Sequence, residues 1–180
     1  MYVVMKPRFC KISPATLMVM AFSLAFPAPV YAQKEVSLGN FGDWEAYRVT
    51  DGGKSVCYIG SQPKKATGKY KIRGDTYILI THRPAEKSFG VVSLKAGYTY
   101  QKTSETDVII GAKTFKLFTK LGHAFAVDQK TDKALVDAMI RGARLVVKGT
   151  SSRGTKTTDT YSLKGFSAAF KAIGKACKVK

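Results

Sequence analysis

Few residues in this chain are of types that could do chemistry, and their spacing argues against most of it. There are two histidines, His82 and His123. Neither stands at a metal-ligand spacing from a cysteine, a carboxylate or the other histidine, and a transition-metal site needs three or four converging ligands. His82 ends an apolar run before Arg83-Pro84, and His123 follows Gly122 in a turn, so both read as strand-edge histidines. No Gly-x-Ser-x-Gly elbow is present, so nothing points to an α/β-hydrolase nucleophile. The acids are few and scattered among turns and helix starts, a poor basis for the paired carboxylates of glycoside hydrolysis. Gly149-Thr150-Ser151-Ser152-Arg153-Gly154-Thr155-Lys156 superficially resembles a phosphate-cradling loop. Its lysine falls one place late, and a strand pattern follows where such a loop needs a helix N-terminus. The sequence therefore predicts no enzyme, no catalytic residue, no metal and no cofactor.

Binding through charge is the better-supported chemistry. Lys64, Lys65, Lys69, Lys71 and Arg73 make the densest basic cluster, interleaved with Tyr70 and Ile72. With Arg153 and Lys156 in the polar loop, they are the candidate anion-binding residues. A solvated hairpin face is the commoner meaning of such a pattern, since charged residues sit outside. The whole chain carries 30 Lys plus Arg against 12 Asp plus Glu. Such a surface attracts anionic lipid, lipopolysaccharide phosphates or acidic polysaccharide. No nucleic-acid-binding motif accompanies it, and no nucleic acid is expected as a partner.

The first thirty-two residues read as a secretory signal. Lys6, Arg8 and Lys11 precede the apolar run Ala15 to Phe26, and Val30-Tyr31-Ala32 offers a cleavage site before Gln33. Twelve apolar residues are too few to span a membrane, which takes roughly 20. Removing the signal takes away Lys6, Arg8 and Lys11, leaving 27 basic residues against 12 acidic ones, a net charge of +15. It also removes Cys10. Residues 33–180 then form a single domain, expected in the periplasm, at the outer membrane or outside the cell. Only Cys57 and Cys177 remain, 120 positions apart. In an oxidising compartment two lone cysteines pair, the alternative being two buried thiols. A loop of that length would gain about 5 kcal/mol in the chain-entropy model.

The elements that must position these residues are mostly strands. The pattern gives strands over Phe41–Val49, Ser55–Gly60, Lys69–Ile72, Thr76–His82, Ser88–Tyr100 (bent at Gly97), Asp107–Ile110, Lys113–Thr119, His123–Val127, Arg144–Lys148 and Asp159–Leu163. Asp51-Gly52-Gly53 and Gly111-Ala112 mark hairpins. Cys57 and Ile59 should face the interior, and the Tyr-Ile-Leu-Ile run reads as a strand buried on both faces. A helix starts with Thr131 as its N-cap and ends before Gly142. A second carries Phe166, Ala169, Phe170, Ile173 and Cys177 on one face. Gly174 inside it costs roughly 1 kcal/mol relative to Ala, so a disulfide tether is a sensible companion. The fold class is mainly β: an antiparallel sandwich or barrel-like domain with two helices, the C-terminal one packed on the core.

Three stretches together carry a family resemblance. The first is Phe41-Gly42-Asp43-Trp44, leading to Val56-Cys57-Tyr58-Ile59-Gly60-Ser61-Gln62-Pro63. The second is Thr81-His82-Arg83-Pro84-Ala85-Glu86-Lys87 with Phe115-Lys116-Leu117-Phe118. The third runs from Val147-Lys148-Gly149 through Tyr161-Ser162-Leu163-Lys164-Gly165-Phe166. In these the chain resembles the bacterial invasion-associated locus B family, as a branch with fewer cysteines. The resemblance implies an exported, β-rich, non-enzymatic envelope or secreted protein associated with invasion of host cells. Its partner would be a host-cell or envelope component, and the family supplies no catalytic residues.

Overall fold

The structure is a computed structural model that describes residues 35–179. The signal segment expected over residues 1–32 lies outside the described residues. Eleven strands follow in chain order, with two helices among them. They are β1 (Glu35–Phe41), β2 (Trp44–Asp51), β3 (Lys54–Ser61), β4 (Lys65–Gly68), β5 (Tyr77–Arg83) and β6 (Ser88–Lys95). A single 3-10 turn, Pro84–Glu86, joins β5 to β6, and after a loop come β7 (Glu105–Ile110), β8 (Lys113–Lys120) and β9 (His123–Phe125). Helix α1 (Gln129–Arg141) leads to β10 (Arg144–Thr150) and β11 (Lys156–Ser162), and α2 (Phe166–Ala176) closes the chain.

All the strands belong to one sheet, in the order β1-β2-β3-β5-β6-β9-β8-β7-β10-β11-β4, with every pairing antiparallel. The sheet curls until its distant strands meet. Trp44 Nε1, on β2, donates to the carbonyl of Ser162 on β11 at 3.0 Å. The backbone N–H of Asp43 donates to the Lys164 carbonyl at 3.0 Å. The result is the mainly β, antiparallel architecture expected, here a single curled sheet, with the C-terminal helix packed on it. Its driving force is apolar burial. Trp44, Ile59, Ile78, Ile80, Leu117 and Leu145 are fully buried in one continuous core.

Helix α2 covers β2 and β3. Phe166, Ala169 and Ile173 point into the sheet from successive turns, and Phe166 meets the Trp44 ring edge-on at 4.9 Å. Cys177, just past the helix, is bonded to Cys57 on β3. Helix α1 lies instead on β6. Its Asp132 carboxylate is buried and accepts from the Val92 N–H at 2.9 Å.

Several expectations are corrected. The strand predicted over residues 69–72 lies earlier, at Lys65–Gly68, because the ladder to β11 runs through Ala66 and Thr67 and stops at Gly68. Asp128, not Thr131, caps α1: its carboxylate accepts the Thr131 N–H at 2.7 Å. Asp128 is an equally good capping residue placed one turn earlier. Glu35–Phe41 forms a separate strand that hydropathy marks only briefly, through Val36 and Leu38, and its residues are exposed or half-buried. Strand β5 alternates rather than being buried on both faces: Ile78 and Ile80 are fully inside, while Tyr77 and Leu79 are half-buried. The strand expected through Tyr100 ends at Lys95, beyond which Gly97 takes a left-handed φ of 73°.

Candidate functional site

Three connections converge at one end of the curled sheet: residues 69–74 between β4 and β5, residues 97–99 after β6, and the turn between β10 and β11. Backbone bonds tie them together. Gly74 N–H donates to Gly97 O at 2.9 Å, and Ser152 N–H donates to Thr99 O at 2.7 Å. Gln101 N–H reaches Thr150 O at 3.0 Å. The β10–β11 turn is shaped from within by Ser151, whose Oγ accepts from the N–H groups of Arg153 and Thr155 at 3.3 and 3.1 Å. A concavity of about 700 Å³ lies between the three, walled by Lys69, Tyr70, Lys71, Tyr98, Ser152 and Arg153.

Beneath the concavity sits Arg73. Its guanidinium makes two parallel bonds of 2.6 Å to the two carboxylate oxygens of Asp159 on β11, the paired geometry that suits guanidinium and carboxylate. Both side chains are almost wholly buried, at 6% and 4% exposure. Arg73 Nε also donates to Ala96 O at 2.7 Å, and the cation stacks near Tyr98 and Tyr70, 5.0 and 5.6 Å from their ring centres. Burial opposes the charge on Arg73, but the Asp159 carboxylate outweighs it, and the guanidinium is held ionised above its ordinary range. Burial also pushes the Tyr100 hydroxyl up to about 12, so it stays protonated beside this cluster. The Tyr98 hydroxyl shares a 2.6 Å bond with Thr157, and burial raises it too.

Of the seven basic residues singled out in the sequence, the fold brings Lys69, Lys71, Arg73 and Arg153 to this concavity. Arg73 is occupied by Asp159 and serves as the foundation. Lys69, Lys71 and Arg153 are exposed around it. Lys64 is elsewhere, ion-paired to Asp43 at 2.6 Å. Lys65 and Lys156 are exposed on β4 and β11 outside the walls. What the site can do is electrostatic and stacking recognition: three cations and the Tyr70 ring around a polar hollow suit a phosphate, sulfate or carboxylate on a larger body.

Sequence reasoning missed Tyr98, Thr157 and Asp159. Asp159 is 86 residues from Arg73, and no local pattern marks such a pair. The two histidines are where they were expected, on strands. His82 is nevertheless buried at 2% exposure. Its Nδ1 accepts the N–H of Gly90 at 3.0 Å, opposite a register shift between β5 and β6. It fills the hydrogen bond that the irregular ladder leaves open.

A family model described as invasion associated locus B (IalB) protein matches residues 44–174. Among solved structures, the crystal structure of invasion associated protein B from Bartonella henselae is similar. The TM-score is 0.53 at 16% sequence identity, covering 79% of this chain and 97% of that one. No curated protein matches the chain.

Proposed function

Because the chain belongs to the invasion-associated locus B family, we propose that it is an exported, non-enzymatic binding protein that takes part in invasion of host cells. The family match is the observation that carries this reading. The Cys57–Cys177 bond fits it, since such bonds persist in oxidising compartments. So does the use made of the groups best suited to chemistry. Arg73 and Asp159 satisfy one another, and His82 completes a strand ladder. The test is a deletion strain assayed for invasion and for rescue by the wild-type gene. Normal invasion by the deletion strain would remove the proposal.

A second reading is favoured by the convergence of Lys69, Lys71 and Arg153 on one hollow: a periplasmic module docking anionic polymer or lipopolysaccharide. It predicts retention on a lipopolysaccharide matrix that weakens steeply between low and physiological salt. Retention that ignores salt would dismiss it.

A further inference from the structure

Helices α1 and α2 rest on different strands, α1 on β6 and α2 on β2 and β3. Between them is a cleft of about 680 Å³, within the range of small-molecule sites, about 300–1,000 Å³. Its walls are apolar: Val136 and Ile140 from α1, Phe170 from α2, Val179 from the tail and Phe89 from β6. Ile140 is 43% exposed here. The cleft is kept open where α2 carries Gly174. A Cβ built there would meet nothing closer than the Val179 carbonyl at 3.7 Å, so a side chain would fit and is missing. A glycine in a helix costs stability, roughly 1 kcal/mol against alanine, and here it leaves space instead.

The mouth says what would fill it. Lys130, Lys133, Lys171 and Lys175 all line the cleft, against one acid, Asp137, which Lys133 already pairs at 2.8 Å. An apolar interior under a cationic rim is complementary to an anion with a hydrocarbon body. In the floor, His82 accepts at Nδ1 from Gly90, which leaves the ring proton on Nε2. That Nε2 is buried with no hydrogen-bond partner, and an unpaired buried donor is costly. His82 is closed off from the cleft and does not choose the ligand; the apolar walls and the lysine rim do.

We propose that the α1–α2 cleft is a lipid site that takes the acyl chain of an anionic acyl-glycerol phospholipid, its phosphate held by the lysine rim. This site is separate from the basic hollow at the loop end and stands or falls independently of it. The probe is myristoyl lysophosphatidylglycerol below its micelle concentration, titrated calorimetrically into the purified disulfide-bonded protein. Saturable one-to-one binding is expected. Lysophosphatidylcholine of the same chain length should bind roughly tenfold more weakly, for want of net charge. Glycerol phosphate alone should not bind. Gly174→Leu should fill the cleft, abolish lipid binding and leave the melting temperature no lower. A Lys69→Gln, Lys71→Gln, Arg153→Gln variant should bind lipid like the wild type. Unaltered lipid binding by a folded Gly174→Leu protein, or equal binding of glycerol phosphate and the lysolipid, would overturn the proposal.

Discussion

A few buried polar side chains set how this protein responds to substitution and to pH. Arg73 and Asp159 are an ion pair almost wholly withdrawn from water, where removing one partner strands the other. Arg73→Ala should cost about 3–5 kcal/mol in chemical denaturation and loosen residues 69–74. A loss below about 1 kcal/mol would mean the pair is not what holds the segment. His82 is held below its ordinary value of 6.5 by burial. The unfolded chain therefore binds a proton that the folded chain refuses. The stability that His82 contributes is complete above pH 6.5 and is lost as pH falls below it. Wild-type stability should thus drop between pH 6.5 and 5 by more than that of His82→Gln, measured as urea midpoints. Parallel pH profiles would show that the imidazole is not buried. Asp132 works with the opposite sign. Burial raises it from 3.8, so the folded state binds the extra proton, and acidification from that raised value down to 3.8 favours folding.

Among the elements, α2 depends on how it enters and how it ends. Its first residue follows Gly165, at a φ of 90°, where a Cβ would lie 1.8 Å from the Phe41 carbonyl oxygen. Gly165→Ala should destabilise by more than about 3 kcal/mol, from strain and clash together. Gly174→Ala, in open space on the same helix, should instead stabilise by up to about 1 kcal/mol. Equal effects at the two glycines would contradict the packing of α2. This contrast also shows what the sequence could tell. The apolar spacing of Phe166, Ala169 and Ile173 announced the helix and its buried face, and the alternation around Cys57 and Ile59 announced theirs, because side-chain period follows backbone geometry. β1 stayed hidden because its alternation is short, Val36 and Leu38 only, and stops at Gly39, where the register with β2 shifts. Its pairing with β2 was therefore unreadable. Residues 69–72 alternate in charge like a strand, yet the ladder to β11 ends before them. Part of the loop-end site was legible from its charges. Its Asp159 foundation was not, because long-range contact leaves no local mark.

For the whole molecule, the sheet closes through Trp44 and Ser162 while the Cys57–Cys177 bond fastens the tail to β3. A bond spanning 120 residues constrains the unfolded chain strongly, and replacing both cysteines by alanine should cost about 2–5 kcal/mol. An unchanged urea midpoint for the double variant would show the tether to be dispensable. On this scaffold, the proposed binding role rests on where charge is placed. Lys69, Lys71 and Arg153 stand together at the loop end, over a buried ion pair that fixes their backbone. The most direct measurement is rescue of a deletion strain by a Lys69→Gln, Lys71→Gln, Arg153→Gln variant, checked for wild-type abundance and melting temperature. The variant is predicted to be exported and folded yet to leave invasion at the level of the deletion strain. Full restoration of invasion would contradict a role for the basic loop end in binding.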